Sequence, residues 1–377
     1  MSTHVARKTT VWLAFVFYIV IGFEFFYMIS PFAIYFYTVY QPGLEFINDN
    51  KVISWLGSTF LPHIVNQTSS PLLNSLSTIG LIYTFGGGVV FIYGMILIYW
   101  NKFTKKSMVS NSIYTLVRHP QYGALIVCGF GMLLVWPRYI VLLSYVSMLF
   151  IYYFLARHEE QECLCKYGER YQVYIESTPM FFPLPFRLPD VLNLIPGKGH
   201  KRGIRLGLIY FVSVGVSVLL ASGIRSWSLD NLYSTYHDHS ATISTTKLDI
   251  EQIEQILSIA LDDQQVRKKL AAEPQTTRYI NYITPVDWSA SEIPMHQIEN
   301  FDHFSYQPKK DRNQHKVIIT KSIPDTDKEI LGKQIVLHSK DRIPVVEVIV
   351  NTDENRVEQV LEPVSADTLA NVPLPVF

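Results

Sequence analysis

Five long apolar runs alternate with polar connectors over the first three fifths of the chain, and the remainder alternates apolar and polar positions over short distances. The runs are Val11 to Tyr40, Leu76 to Trp100, Tyr122 to Trp136, Tyr139 to Ala156 and Leu206 to Ile224. They are apolar all round, with no polar stripe, which is the pattern of helices buried in lipid. The first run exceeds the ~7–15 apolar residues of a signal peptide, so it reads as a retained span, bent or ended at Pro31. Leu248 to Ala272 instead carries one apolar helical side (Ile250, Ile253, Ile256, Leu257, Ile259 and Ala260). Lys316 to Thr320 and Gln334 to His338 read as short strands, and Val345 to Val350 with Val357 to Leu361 as a hairpin about a polar turn. The expected fold class is an all-α polytopic membrane domain of about five transmembrane helices, residues 1–224, followed by a small α+β soluble domain, residues 225–377, with a helix on an antiparallel sheet.

Composition sharpens this division. Hydrophobic residues make up 49% of the 377 and charged residues 17%, and the formal net charge is zero. A neutral chain has no bulk attraction for nucleic acid or anionic lipid, and the apolar runs make a lipid bilayer the expected environment. The three cysteines, Cys128, Cys163 and Cys165, all precede residue 225, so the C-terminal domain holds no disulfide, and Cys163-Leu-Cys165 is too few donors for a metal site. His237-Asp238-His239 reads as a solvated linker, and Glu24 in the first run as a polar group hydrogen-bonded to another helix. Asn66-Gln67-Thr68 has the form of a glycosylation acceptor.

Lysine and arginine crowd the N-terminus, residues 101–120 and residues 157–205, and are sparse in 41–75 and 137–138. By the positive-inside rule the N-terminus is cytoplasmic and the C-terminal domain extracytoplasmic, free to meet a partner there. The two ends of the hairpin formed by the third and fourth runs then meet at the cytoplasmic surface. One end carries Arg118-His119-Pro120, with Pro120 suited to a first helical turn; the other carries Glu159-Glu160. Cations at a helix start and carboxylates at a helix end compose either a charge-neutral collar or a binding site.

The order of these residues resembles the isoprenylcysteine carboxyl methyltransferase and phospholipid methyltransferase group of membrane enzymes. The resemblance rests on Tyr114, Arg118-His119-Pro120, Tyr122, Glu159-Glu160, Tyr167-Gly168, Tyr171, Tyr174 and the prolines from Pro179 to Pro183, within a core of residues 110–183. Two details depart from it: Ser112-Ile113 stands where glycine is common, and Gly123 precedes Ala124 where glycine usually comes one position later. The resemblance implies S-adenosylmethionine as cofactor and methyl transfer to a membrane-embedded or lipophilic acceptor: an isoprenylcysteine-like carboxylate, a lipid headgroup or a thiol. It also implies Arg118, His119 and Glu160 as catalytic, and Tyr114, Arg118, His119, Pro120, Tyr122, Glu159, Glu160 and Tyr171 as cofactor-binding, with no metal. Alternative readings are an NADPH-dependent enzyme similar to sterol reductases, suggested by Cys163 and Lys166-Tyr167-Gly168, and a non-catalytic membrane anchor for a C-terminal binding module.

Overall fold

The computed structural model describes residues 26, 29–32, 53–65, 67–104, 111–183, 200–299, 313–364 and 375–377. Most of the expected first span, together with Glu24 and Asn66, lies outside the described residues; within that span residues 26 and 29–32 are helical. The chain divides into two compact units: residues 1–38, 81–132 and 143–214 form one, and 39–80, 133–142 and 215–377 the other.

Helices α1 (Pro71–Phe103), α2 (Pro120–Val135), α3 (Tyr139–Tyr167) and α5 (His200–Asp230) follow the apolar runs, and a short polar helix, α4 (Glu169–Ser177), lies between the last two. Among the described residues three helices, α1, α3 and α5, are long and apolar enough to cross a membrane, and α2 is a shorter apolar helix. Only 11% of the apolar window of α1 and 6% of that of α5 is buried. So much exposed apolar surface is untenable in water and natural in lipid. The spans run longer than the hydrophobic pattern alone outlined, because α3 carries its helix through the charged residues to Tyr167. That helix is broken at Gly168, whose φ of 56° opens the separate helix α4.

Small residues set the helix packing of the first unit. A Cβ at Gly87 would lie 2.7 Å from both the Ala124 carbonyl oxygen and the Cys128 nitrogen, so α1 and α2 touch backbone to backbone there. Gly86 and Gly88, its neighbours in the glycine triplet, meet nothing. Across the α2–α3 hairpin a Cβ at Gly129 would lie 2.7 Å from the Met148 methyl.

The second unit is built on a six-stranded sheet in the order β1 (Ser234–Tyr236), β2 (Ser240–Ser244), β3 (Tyr279–Pro285), β4 (Gln314–Pro324), β5 (Ser339–Asn351), β6 (Arg356–Leu361). The expected hairpin is β5–β6. The sheet is mixed rather than antiparallel, since β2 and β3 pair in parallel. That pairing requires a crossover, made by α6 (Ile250–Asp262) and α7 (Gln264–Ala271). These two replace the single helix expected over 248–272. Asp263 divides them, accepting from Gln265 N and Val266 N to cap α7, while Asp249 and Gln252 form a capping box on α6. The segment Gln334 to His338 is helical instead of extended: α8 (Lys333–Leu337) starts after Gly332 at φ 55° and buries the adjacent pair Ile335 and Val336. A short apolar run of this kind has no period to separate helix from strand. His237-Asp238-His239 is the turn between β1 and β2 rather than a linker, and His237 pairs with Glu254 at 3.0 Å.

Both sparsely charged connectors belong to this unit. Phe60 N donates to Pro137 O at 2.9 Å, the buried Arg138 donates to Gly57 O at 2.7 Å, and His63 N donates to Phe377 O at 2.9 Å. Residues 375–377 lie in the sheet's core: Phe377 is fully buried, Tyr282 donates to Val376 O, and Arg342 donates to Pro375 O.

Candidate functional site

The Arg118-His119 turn and the Thr178–Pro183 segment hold one another through the backbone. Arg118 N donates to Pro179 O and His119 N to Met180 O, each at 2.9 Å. The prolines keep the second segment out of helix, leaving its carbonyls available. Gly123 fits this contact: a Cβ there would stand 2.6 Å from Phe181 O. The glycine that departs from the family spacing thus has its own local reason, and Ala124 serves the α1 contact instead.

Glu160 is the hub. Its side chain is 1% exposed and receives Arg118 Nε at 2.6 Å, His119 Nε2 at 3.3 Å and Arg157 Nη1 at 2.9 Å. Arg118 continues through Nη1 to Ile175 O at 2.9 Å and to Thr178 O. Its guanidinium therefore joins α3, the 118–119 turn and the end of α4. Removing one member of such a buried cluster leaves charge uncompensated, typically at ~3–5 kcal/mol.

Glu159 differs from its neighbour. Successive helical residues point about 100° apart, and the Glu159 side chain remains 39% exposed. It accepts from Tyr122 OH and stands 3.4 Å from His119 Nδ1. His119 thus faces a carboxylate from each ring nitrogen. Burial alone would lower its pKa, but the hydrogen bonds and charges of Glu159 and Glu160 outweigh that and raise it above the ordinary histidine range.

Aromatic rings flank this open carboxylate. His119 stacks on Tyr122 with centroids 5.8 Å apart, and Tyr122 on Tyr152 at 4.9 Å. Tyr114 is buried, with its hydroxyl accepting from Gln121 and its carbonyl accepting from Tyr174 OH at 2.6 Å. Tyr171, also buried, bonds Cys163 and packs on Tyr174 at 5.7 Å. Pro120 begins α2, as expected.

The expected residues therefore gather in the first unit, but not in equal positions. Glu159 is the accessible member, and the buried His119 and Tyr122 frame it. Arg118, Glu160, Tyr114 and Tyr171 lie in the supporting wall. The expectation that Arg118 binds the cofactor meets a guanidinium already engaged by Glu160 and two carbonyls. Arg157 is the residue that sequence reasoning passed over. It sits one helical turn before Glu160, its side chain 26% exposed, and that i,i+3 spacing was the available signal.

Residues 89–170 match the family model of phospholipid methyltransferases. The match takes in the latter part of α1, the Arg118-His119 turn, the α2–α3 hairpin and Glu159-Glu160, and stops just before Tyr171. No curated protein and no solved structure matches the chain.

Proposed function

We propose, from a motif region of the phospholipid methyltransferase type, that the protein is a membrane enzyme transferring methyl groups from S-adenosylmethionine to a lipophilic acceptor at the cytoplasmic face. The observation that carries the reading is the contrast between two adjacent carboxylates: Glu160, saturated and buried, and Glu159, open beside stacked rings.

The donor set fits this cofactor in part. Its ammonium and ribose hydroxyls suit an accessible carboxylate, and its sulfonium suits aromatic faces. When bound, S-adenosylmethionine supplies an activated methyl group on sulfur. Glu159 is assigned to the ammonium or ribose hydroxyls, and the Tyr122 ring to the cationic side of the cofactor. Arg157, charged and partly exposed at the rim, takes the role of carboxylate partner in place of Arg118. The Glu160 hub fixes the turn that carries His119, so that site geometry is set before substrates arrive. His119 holds its proton between the two carboxylates, which makes it an electrostatic and orienting group rather than a general base. Transfer in a dry, aligned site needs no covalent enzyme intermediate.

The test uses the full chain in lipid nanodiscs. Calorimetric titration with S-adenosylmethionine and separately with NADPH, then transfer of labelled methyl to extracted native lipids, distinguishes the readings. Saturable binding of S-adenosylmethionine and labelled lipid are expected. Absence of that binding in folded protein defeats the proposal, and binding of NADPH instead favours the reductase reading. Intact function after Glu159→Gln would reduce the first unit to an anchor.

A further inference from the structure

The second unit has a small open pocket unrelated to the motif region. Its lining includes Arg225 and Lys340, hydroxyl-bearing Ser58 and Thr59, and a wall of Pro375 and Val376. Among its described lining residues there are two cations and no carboxylate. Arg225 is poorly supplied with acceptors for a largely buried cation. Its Nη2 reaches Val336 O at a long 3.4 Å, it bonds Tyr139, and its Nε is sealed from solvent with no hydrogen-bond partner. The Phe377 ring, 5.9 Å from the guanidinium carbon, fixes the head in place. Asp325 is the carboxylate in electrostatic reach, and it is already bonded to His338 at 3.1 Å. Lys340 makes no ion pair among the described residues. A positive pocket with unspent donors is built for an anion.

Its position selects the kind of anion. Arg225 lies near the C-terminal end of α5, and its partner Tyr139 is the first residue of α3, so the pocket stands where two candidate spans leave the apolar region. Trp55 and Trp227 are both exposed, Trp55 edge-on to Tyr139 at 5.4 Å and Trp227 next but one to Arg225 on α5. Exposed tryptophans at span ends mark the headgroup layer of a bilayer. A soluble anion has no reason to be met by such a belt; a phospholipid phosphate has. We infer that the Arg225–Lys340 pocket binds the phosphate of an anionic phospholipid headgroup and so seats the sheet-bearing unit on the membrane surface. The inference is independent of methyl transfer and is read by lipid binding alone.

The full chain is reconstituted in phosphatidylcholine nanodiscs doped with phosphatidylglycerol, and co-purifying lipid is counted by native mass spectrometry after detergent release. Enrichment of phosphatidylglycerol over its bulk fraction is expected, reduced about tenfold by Arg225→Gln or Lys340→Glu, the loss of one desolvated charge contact. Lys340→Glu guards against misfolding, because no ion pair within the described unit depends on Lys340; its melting temperature should match the parent's in phosphatidylcholine. Parallel titration with inorganic phosphate separates the sources. Equal enrichment in the parent and Lys340→Glu proteins overturns the inference. So does a phosphate response without lipid enrichment.

Discussion

Two buried clusters, one in each unit, share a composition and differ in consequence. In the first, Glu160 is shared by Arg118, His119 and Arg157. In the second, Glu347 on β5 is 2% exposed, accepts from His296 N at 2.8 Å and from its ring at 2.9 Å, and stands 3.6 Å from Lys316 on β4. Each joins a carboxylate, a histidine and a permanent or near-permanent cation. The Glu347 cluster ties a connecting segment to a sheet and ends there. Beside the Glu160 cluster stands a second carboxylate, open to solvent and framed by rings. The difference teaches that a buried ion cluster ties chain segments together in both units, whereas the first also leaves an accessible carboxylate beside it.

The largest effect that tests this is Glu160→Gln. The variant leaves the Arg118 and Arg157 guanidiniums without their shared buried carboxylate, so it should lose about 3–5 kcal/mol of stability, seen as a lower melting temperature of reconstituted protein, with methyl transfer lost alongside. Glu347→Gln should cost less, about 1–3 kcal/mol, because Lys316 can relieve the loss by releasing its proton; burial already lowers the Lys316 pKa. Methyl transfer per folded molecule should be unchanged, and a loss there would erase the distinction between the clusters. Glu159→Gln should cost about 1 kcal/mol, because the carboxylate is partly solvated although its partners His119 and Tyr122 are buried, yet weaken S-adenosylmethionine binding about tenfold or more by calorimetry. Equal damage to stability and binding would return Glu159 to the scaffold.

The smallest effect is a pH dependence. His119 has a raised folded pKa, so its pairing contributes fully below its unfolded value of about 6.5 and is lost as pH climbs through the folded value. The melting difference between parent and His119→Gln proteins, followed from about pH 6 to about pH 9, should shrink as pH rises. A difference that grows would mean that the neutral ring is the bound form.

Much of this arrangement was legible in the residues. Apolar runs located α1, α2, α3 and α5, and the short Pro137-Arg138 turn required the far ends of its hairpin to meet. The sequence pattern did not say which of Glu159 and Glu160 faces outward, because both are charged and helical phase cannot be fixed on helices apolar all round. The engagement of Arg118 with carbonyls of residues 175 and 178 was equally hidden, since backbone acceptors leave no mark in composition. The Gly168 elbow had a visible signal in the glycine itself. The parallel β2–β3 pair had one too, in the helical length between the strands, outweighed by the evident β5–β6 hairpin.

One consequence follows from the seat of residues 375–377. Phe377 O is the acceptor for His63 N, while the unit enclosing both draws on three separated stretches of chain. During synthesis the 53–65 connector emerges long before its partners and must wait, with His63 N unpaired and Ile64 and Val65 uncovered, until the sheet and then Phe377 arrive. Such long-range closure is slow and leaves sticky surface exposed meanwhile. The biogenesis of this protein therefore has a vulnerable interval between the first connector and residue 377, and a chaperone stationed on that side of the membrane would find its client there.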